Sequence, residues 1–255
     1  MKKNIDIIGI IHQSAVKDFE GFRLFYQPIV ESATNRIKGM EALLRWEREP
    51  YGLVPPGVFI EWLEEDACIY DLGNWIIRTA LEDCKAMAEN YPGFFVNINV
   101  CPAQLERREF RDNLLHMLNE SGLQPAQVCI ELTERCRNLD IGFLRQEVEF
   151  FKENGIKVAL DDFGTGTSSL AVVLQLPFDE LKIDASFIRG LTKNPLNQAM
   201  IKSIIDFARE MKLEICVEGV ENEKLRDHLL GYGAKWFQGY YYSKPVPIEE
   251  FVNLM

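Results

Sequence analysis

The feature that most constrains this chain is a rhythm. Short apolar runs rich in β-branched residues recur along nearly all of its 255 residues, at 22–30, 37–46, 94–100, 128–132, 158–163, 181–184, 214–220 and 236–243. Most are separated by segments of helical period. Residues 143–153 place Phe143, Leu144, Val148 and Phe151 on one face and stop at Asn154-Gly155, while 198–211 align Ile201, Ile204, Ile205 and Ala208. Strand alternating with helix implies a parallel sheet. Eight runs at this spacing fit a closed α/β barrel, a (β/α)8 barrel of the TIM type, better than an open sheet. The first two runs are separated only by 31–36 and read as a hairpin, so the expected barrel is a modified one with a single antiparallel strand.

Polar residues close these runs: Glu41, Asn99, Glu131, the pair Asp161 and Asp162, Lys182 and Glu218. A lone carboxylate after a strand is commonly a helix cap or a surface charge, but strand ends of a barrel converge, so this many predict an acidic, metal-holding mouth. The period of two puts Glu41, Leu43 and Arg45 on one face, as a buried ion pair or as part of a site. Asn97, Asn99 and Cys101 share another face, and amides in an apolar strand are costly unless they bond or coordinate something. Asn99, nearer the strand end, is the better ligand candidate. Glu131 is a metal candidate, and Glu134 turns the other way as a support. Asp161 and Asp162 are placed to hold separate oxygen-ligated cations or to bridge two. They precede Gly164 and Gly166, so a tight turn in which Asp162 caps the next helix is the competing account. Lys182 aims an ammonium at the mouth, to orient a water or neutralise a phosphoryl group, or else forms a structural salt bridge to Asp162 or Asp184. Glu218 offers a further carboxylate as ligand or base, and Gln238 closes the eighth run.

The formal net charge of -11 excludes a general binder of nucleic-acid polymers, which needs a basic face. Positive charge for an anionic substrate would come from bound metal. Six cysteines without a CxxC pair read as reduced core thiols in a cytoplasmic protein, and His12, His116 and His228 fall in expected surface helices, away from strand ends. No apolar run reaches membrane-spanning length and no secretory signal is expected. Residues 1–19 read as a helical lead-in, a remnant of a connection to an upstream module, and 20–255 as the barrel. A glycosidase built on paired carboxylates gives Asn99 and Lys182 no role.

The motifs Glu41-Ala42-Leu43 with Leu44-Arg45-Trp46, Glu131-Leu132-Thr133-Glu134, Asp161-Asp162-Phe163-Gly164-Thr165-Gly166, Lys182-Ile183-Asp184, Glu218-Gly219-Val220-Glu221 and Gln238-Gly239-Tyr240 resemble, in this order, those of the EAL family of cyclic di-GMP phosphodiesterases. The likeness runs from about residue 22 to 251, through Tyr26-Gln27-Pro28 and Ser243-Lys244-Pro245. It implies hydrolysis of cyclic di-GMP to linear pGpG by a modified TIM barrel with two Mg2+ or Mn2+ ions, with Ca2+ inhibiting. By motif position Glu41, Asn99, Glu131, Asp161, Asp162 and Glu218 would hold metal. The family's asparagine motif continues to Gln104-Leu105 here, a register that selects Asn99 over Asn97. Lys182 would position the water, assisted by Gln238. Arg45 would grip a substrate phosphate, with Gln27, Leu43 and Pro245 as further substrate contacts. Glu134, Gly164 and Gly166 would support a loop coupled to a homodimer interface, and an upstream sensory or GGDEF domain is a possible partner. A cyclic di-GMP sensor without turnover is the alternative. Thr167, Glu49 and Glu61 depart from the usual pattern, and none of them removes a ligand.

Overall fold

A computed structural model describes residues 2–133, 136, 139–164 and 170–255. The strands are β1 (Phe22–Glu31), β2 (Arg36–Arg48), β3 (Gly52–Val54), β4 (Phe95–Val100), β5 (Val128–Leu132), β6 (Lys157–Phe163), β7 (Glu180–Ile183), β8 (Glu214–Val217), β9 (Trp236–Phe237) and β10 (Val246–Pro247). They run in the order β1, β9, β8, β7, β6, β5, β4, β2, and the β1–β2 hairpin closes the ring. All neighbours from β2 through β4 to β9 are parallel, and β1 is antiparallel to both β2 and β9. This is the expected eight-stranded barrel with one reversed strand. The short strands β3 and β10, flanking the ring on β2 and β1, were not among the expected runs. The seventh and eighth runs end earlier than their apolar content suggests, at Val217 and Phe237. Each is followed within two residues by a glycine with positive φ, Gly219 (68°) and Gly239 (155°), where the backbone leaves the sheet.

Strands of a parallel barrel face helices outside and other strands inside, so they read as continuous apolar runs. All five residues of β5 and all four of β7 are buried. The helices that cover them include α1 (Lys2–Val16), α2 (Ile60–Glu64), α3 (Cys68–Asn90), α4 (Pro102–Leu105), α5 (Phe110–Ser121), α6 (Ile141–Glu153), α7 (Leu170–Gln175), α8 (Ala185–Ile188), α9 (Pro195–Glu210), α10 (Glu223–Leu230) and α11 (Ile248–Phe251). Helix α6 starts where Asp140 accepts from the Phe143 N–H at 2.9 Å, and it buries Leu144, Val148 and Phe151. Helix α1 lays Ile11 and Ala15 into the same core and packs on α3. The cysteines are free thiols and mostly buried, as expected. His116 is exposed, whereas His12 and His228 are half-buried and pair with Asp66 and Tyr232.

Parallel strands all point the same way, so the ends of β2 and β4 to β9 meet at one mouth and their starts form a floor. At the floor Glu214 is held by Lys157 at 3.3 Å, by Lys235 and by the Trp236 indole at 3.0 Å. Its neighbour Glu180 is buried, its Oε1 has no hydrogen-bond partner, and burial pushes its carboxyl up to about 7. Below the ordinary carboxylate range both folded and unfolded chains are protonated there. As pH rises towards 7 the unfolded chain ionises first, so native stability falls. Glu180→Gln should therefore raise stability by about 2–3 kcal/mol at pH 8 and have little effect at pH 4, read as denaturant midpoints at the two pH values. A larger gain at pH 4 would contradict this.

Candidate active site

The mouth is assembled around one ammonium. Lys182, on β7, is fully buried, and its Nζ lies 2.7 Å from Glu131 Oε1, 2.9 Å from Glu218 Oε1, 3.1 Å from Glu41 Oε2 and 3.2 Å from Asp161 Oδ1. Those carboxylates come from β5, the loop after β8, β2 and β6. Amides hold them in place. Asn99 donates to Glu41 Oε1 at 3.0 Å and Asn97 to Glu131 Oε1 at 2.8 Å. Gln238 donates to Glu41 Oε2 at 2.6 Å and to Gln27 Oε1 at 3.0 Å, and Gln27 in turn donates to the Ser243 carbonyl at 3.1 Å.

Asp161 and Asp162 are adjacent, and on a regular strand they would face opposite ways. The β6–β7 register shifts between Leu160 and Phe163, and Asp162 takes φ 54°, the left-handed region that aspartate tolerates better than most residues. This bulge brings both carboxylates to the same site. Glu41, Glu131 and Asp161 form one group of oxygen donors, and Asp161, Asp162 and Glu218 a second, each with donor atoms within 4.8 Å of one another. Asp161 belongs to both. Just beyond, Gly164 has φ 100°, and a Cβ there would lie 2.1 Å from the Phe187 ring. Gly164→Ala should cost about 1–3 kcal/mol and displace the Asp161–Asp162 bulge, seen as a lower thermal midpoint together with weaker Mn2+ uptake. A variant with unchanged midpoint and uptake would show that the bulge does not depend on this glycine.

Five carboxylates around one ammonium carry a formal charge of -4, the charge that two divalent cations neutralise. The electrostatics record the strain of holding that charge in a buried place. Burial pushes Glu131 far above the usual carboxylate range, with Glu41 adding to it. It raises Asp161, takes Asp162 to about 6 with help from Asp161, and takes Glu218 to about 8 against the pull of Lys182. Burial also opposes ionisation of Glu41, but Lys182, Gln238 and Asn99 together outweigh it and hold Glu41 low. The same four carboxylates outweigh burial at Lys182 and keep it protonated. Glu131 Oε2 is buried without a hydrogen-bond partner, and Asp161 Oδ1 has nothing beyond its ion pair with Lys182. An all-oxygen donor set of this charge fits Mg2+ or Mn2+ rather than softer metals.

Beside the donors lies a cavity of about 560 Å³, with Glu41, Asn99, Asp161 and Asp162 at its polar edge and Leu43, Pro56, Ile60, Ile69, Ile76 and Gln104 among its walls. A larger hollow of about 730 Å³ at the floor, between the β1–β2 turn and residues 90–94, has no acidic side chain in its lining. The chemistry therefore points to the smaller one.

All six predicted metal-site residues, together with Lys182 and Gln238, converge at the mouth. Several details differ from expectation. Lys182 pairs with Glu41, Glu131, Asp161 and Glu218, while Asp184 instead caps α8 by accepting from the Ser186 N–H at 2.8 Å. Arg45 does not form an ion pair with Glu41. It is half-buried, donates to the Leu44 carbonyl at 2.8 Å and lies 5.9 Å from the Phe25 ring centroid. Leu43 lines the cavity, Gln27 braces Gln238, and Pro245 is half-buried just before β10. Glu134, Gly166 and Thr167 lie outside the described residues. Asn97, passed over as a ligand, fixes Glu131. Gln104 shapes the cavity and fits there because residue 73 is glycine, whose added Cβ would stand 2.0 Å from the amide. The wall formed by α2 and α3 was not legible, because its apolar residues have ordinary core periodicity.

A sequence model of the EAL domain matches residues 13–245. This chain belongs to the EAL domain family. The EAL domain here is 32% identical over 245 residues to the cyclic di-GMP phosphodiesterase NbdA of Pseudomonas aeruginosa, covering 94% of this chain and 31% of that protein. It is 31% identical over 228 residues to the cyclic di-GMP phosphodiesterase PdeR of Escherichia coli, covering 89% of this chain and 34% of that protein. The EAL enzyme Bd1971, in its cAMP and cyclic di-GMP bound form, superposes with a TM-score of 0.90 at 34% identity, over 99% of this chain and 69% of that one. The chain spans 27% to 38% of the length of the curated relatives it matches. No helix among the described residues is long and apolar enough to cross a membrane.

Proposed function

We propose that this EAL domain hydrolyses one 3'-5' phosphodiester of cyclic di-GMP to give linear pGpG, with two Mg2+ or Mn2+ ions. The observation that carries the reading is the overlap of two oxygen-donor groups at Asp161, placed around a single buried ammonium. The phosphodiesterase relatives NbdA and PdeR support the substrate class. Glu41, Asn99, Glu131, Asp161, Asp162 and Glu218 are the residues that would hold the metals. Bound there, divalent cations supply polarisation of the phosphoryl oxygens and a water acidic enough to attack near neutral pH.

The side chains supply the rest. Lys182, locked by four carboxylates, presents a fixed positive charge where a phosphoryl group and its attacking water meet. Gln238 keeps Glu41 in register, and Gln27 keeps Gln238 in register. The cavity wall of Leu43, Ile60 and Ile69 takes an apolar, flat-faced portion of the ligand, which leaves its phosphate at the polar edge. Arg45, next to the cavity residue Leu44, and Pro245 would contact the substrate. Water adds to phosphorus, the bond to the 3'-oxygen breaks, and that oxygen takes up a proton.

Residues 1–19 act as a lead-in to the barrel at 20–255, and we assign the protein to the cytoplasm as a homodimer, under an upstream sensory or GGDEF domain. The test is incubation of the protein with cyclic di-GMP under Mg2+, Mn2+, Ca2+ or chelator, with products separated by chromatography. Linear pGpG is expected with Mg2+ and Mn2+ and not with Ca2+ or chelator. Tight binding without product in any metal would leave a sensor in place of an enzyme.

A further inference from the structure

A second set of metal-ligating side chains stands away from the barrel mouth, where α1 meets the start of α3. His12 Nε2 lies 3.1 Å from Asp66 Oδ2, and Cys68 brings its Sγ into the same group, the three donor atoms all within 4.8 Å of one another. Asp66 is already oriented, because its Oδ1 accepts the Cys68 N–H at 2.9 Å and leaves Oδ2 facing His12. The His12 and Asp66 side chains are 39% and 41% exposed, so an ion has a route in, while Cys68 closes the site from the protein side.

We propose that His12, Asp66 and Cys68 form a zinc site with one position left for water, clipping α1 to the start of α3. Nitrogen, oxygen and sulfur from three side chains are a donor set zinc accepts, and soft thiolate selects against Mg2+. Two ligand atoms each about 2.0–2.1 Å from a tetrahedral zinc stand about 3.3 Å apart, so the His12–Asp66 gap needs to open by only a few tenths of an ångström. The ordinary alternative is a surface ion pair beside a helix start, with the Cys68 thiol hydrogen-bonded to the Asp66 carboxylate. The clip sits next to the substrate-sized cavity, since Ile69 follows Cys68 directly and lines it. Metal at the clip would thus tie the lead-in helix to one cavity wall.

The test adds Co2+ to the full chain in excess Mg2+, which keeps the oxygen donors of the mouth occupied, and follows thiolate-to-cobalt charge transfer. A band that saturates near one Co2+ per chain is expected, bleached by Zn2+, lost in Cys68→Ser and lost or strongly weakened in His12→Ala. Zn2+ should also raise the thermal midpoint of the native chain and of neither variant. No thiolate band, or a band that survives in Cys68→Ser or is unchanged in His12→Ala, would overturn the site. The half-buried His12 imidazole is not part of the packed core, so its variant keeps the fold and the result stands even if Cys68→Ser is impaired.

Discussion

Replacing Lys182 by Met destabilises the chelator-treated protein by at least about 3 kcal/mol at pH 8, the scale on which a buried charge network responds to loss of one partner. The reason is specific to this mouth. Without the ammonium, only the amides of Asn97, Asn99 and Gln238 offset burial and mutual repulsion, so the proton affinities of Glu131, Asp161 and Glu218 rise further above those of the unfolded chain, and Glu41 loses the charge that holds it low. Groups raised in this way are protonated in both states at low pH and cost stability as pH climbs from the ordinary carboxylate range past about 8, the value Glu218 already reaches. The deficit should therefore shrink steadily from pH 8 to pH 5 in urea titrations. Equal midpoints for the variant and the native chain at pH 8 would show that Lys182 does not neutralise the cluster.

Asp161→Asn has the opposite signature. The side chain keeps its shape and loses one negative charge from a crowded, buried group, so the chelated variant is at least as stable as the native chain. Turnover falls by about 10³-fold or more, equivalent to about 4 kcal/mol of transition-state stabilisation, because this residue belongs to both donor groups. The two variants together separate collapse of the fold from loss of chemistry, with Lys182→Met unstable and Asp161→Asn folded but inactive. Retention of more than a tenth of native turnover by Asp161→Asn would remove the shared carboxylate from the account.

The fold was legible because parallel strands buried on both faces leave continuous apolar runs, and because the 31–36 connection is too short for a crossover helix. Strand ends were less legible. The apolar content of 218–220 and 238–243 continues past the sheet, and only the backbone at Gly219 and Gly239 shows where the chain turns away. At the mouth, residue identity predicted which side chains meet, while pairing within the cluster depended on geometry that alternation does not encode. The bulge at Asp161 and Asp162 breaks the period of two. Barrel closure sets Lys182 against Glu41 from across the ring, while Asp184 caps α8. Asn97 and Gln104 support the site from positions whose neighbours in sequence look like ordinary core. The zinc-type group was hidden for another reason: His12 and Cys68 are 56 positions apart, and no local motif links them.

The measurement that tests the central claim most directly is pGpG formation as a function of Mn2+ bound per chain, beginning from chelated protein. No product at zero loading, with turnover that appears as a second ion is taken up and is absent in Asp161→Asn, is the predicted result. Product from fully chelated protein, or cyclic di-GMP bound but intact at every Mn2+ loading, would contradict it.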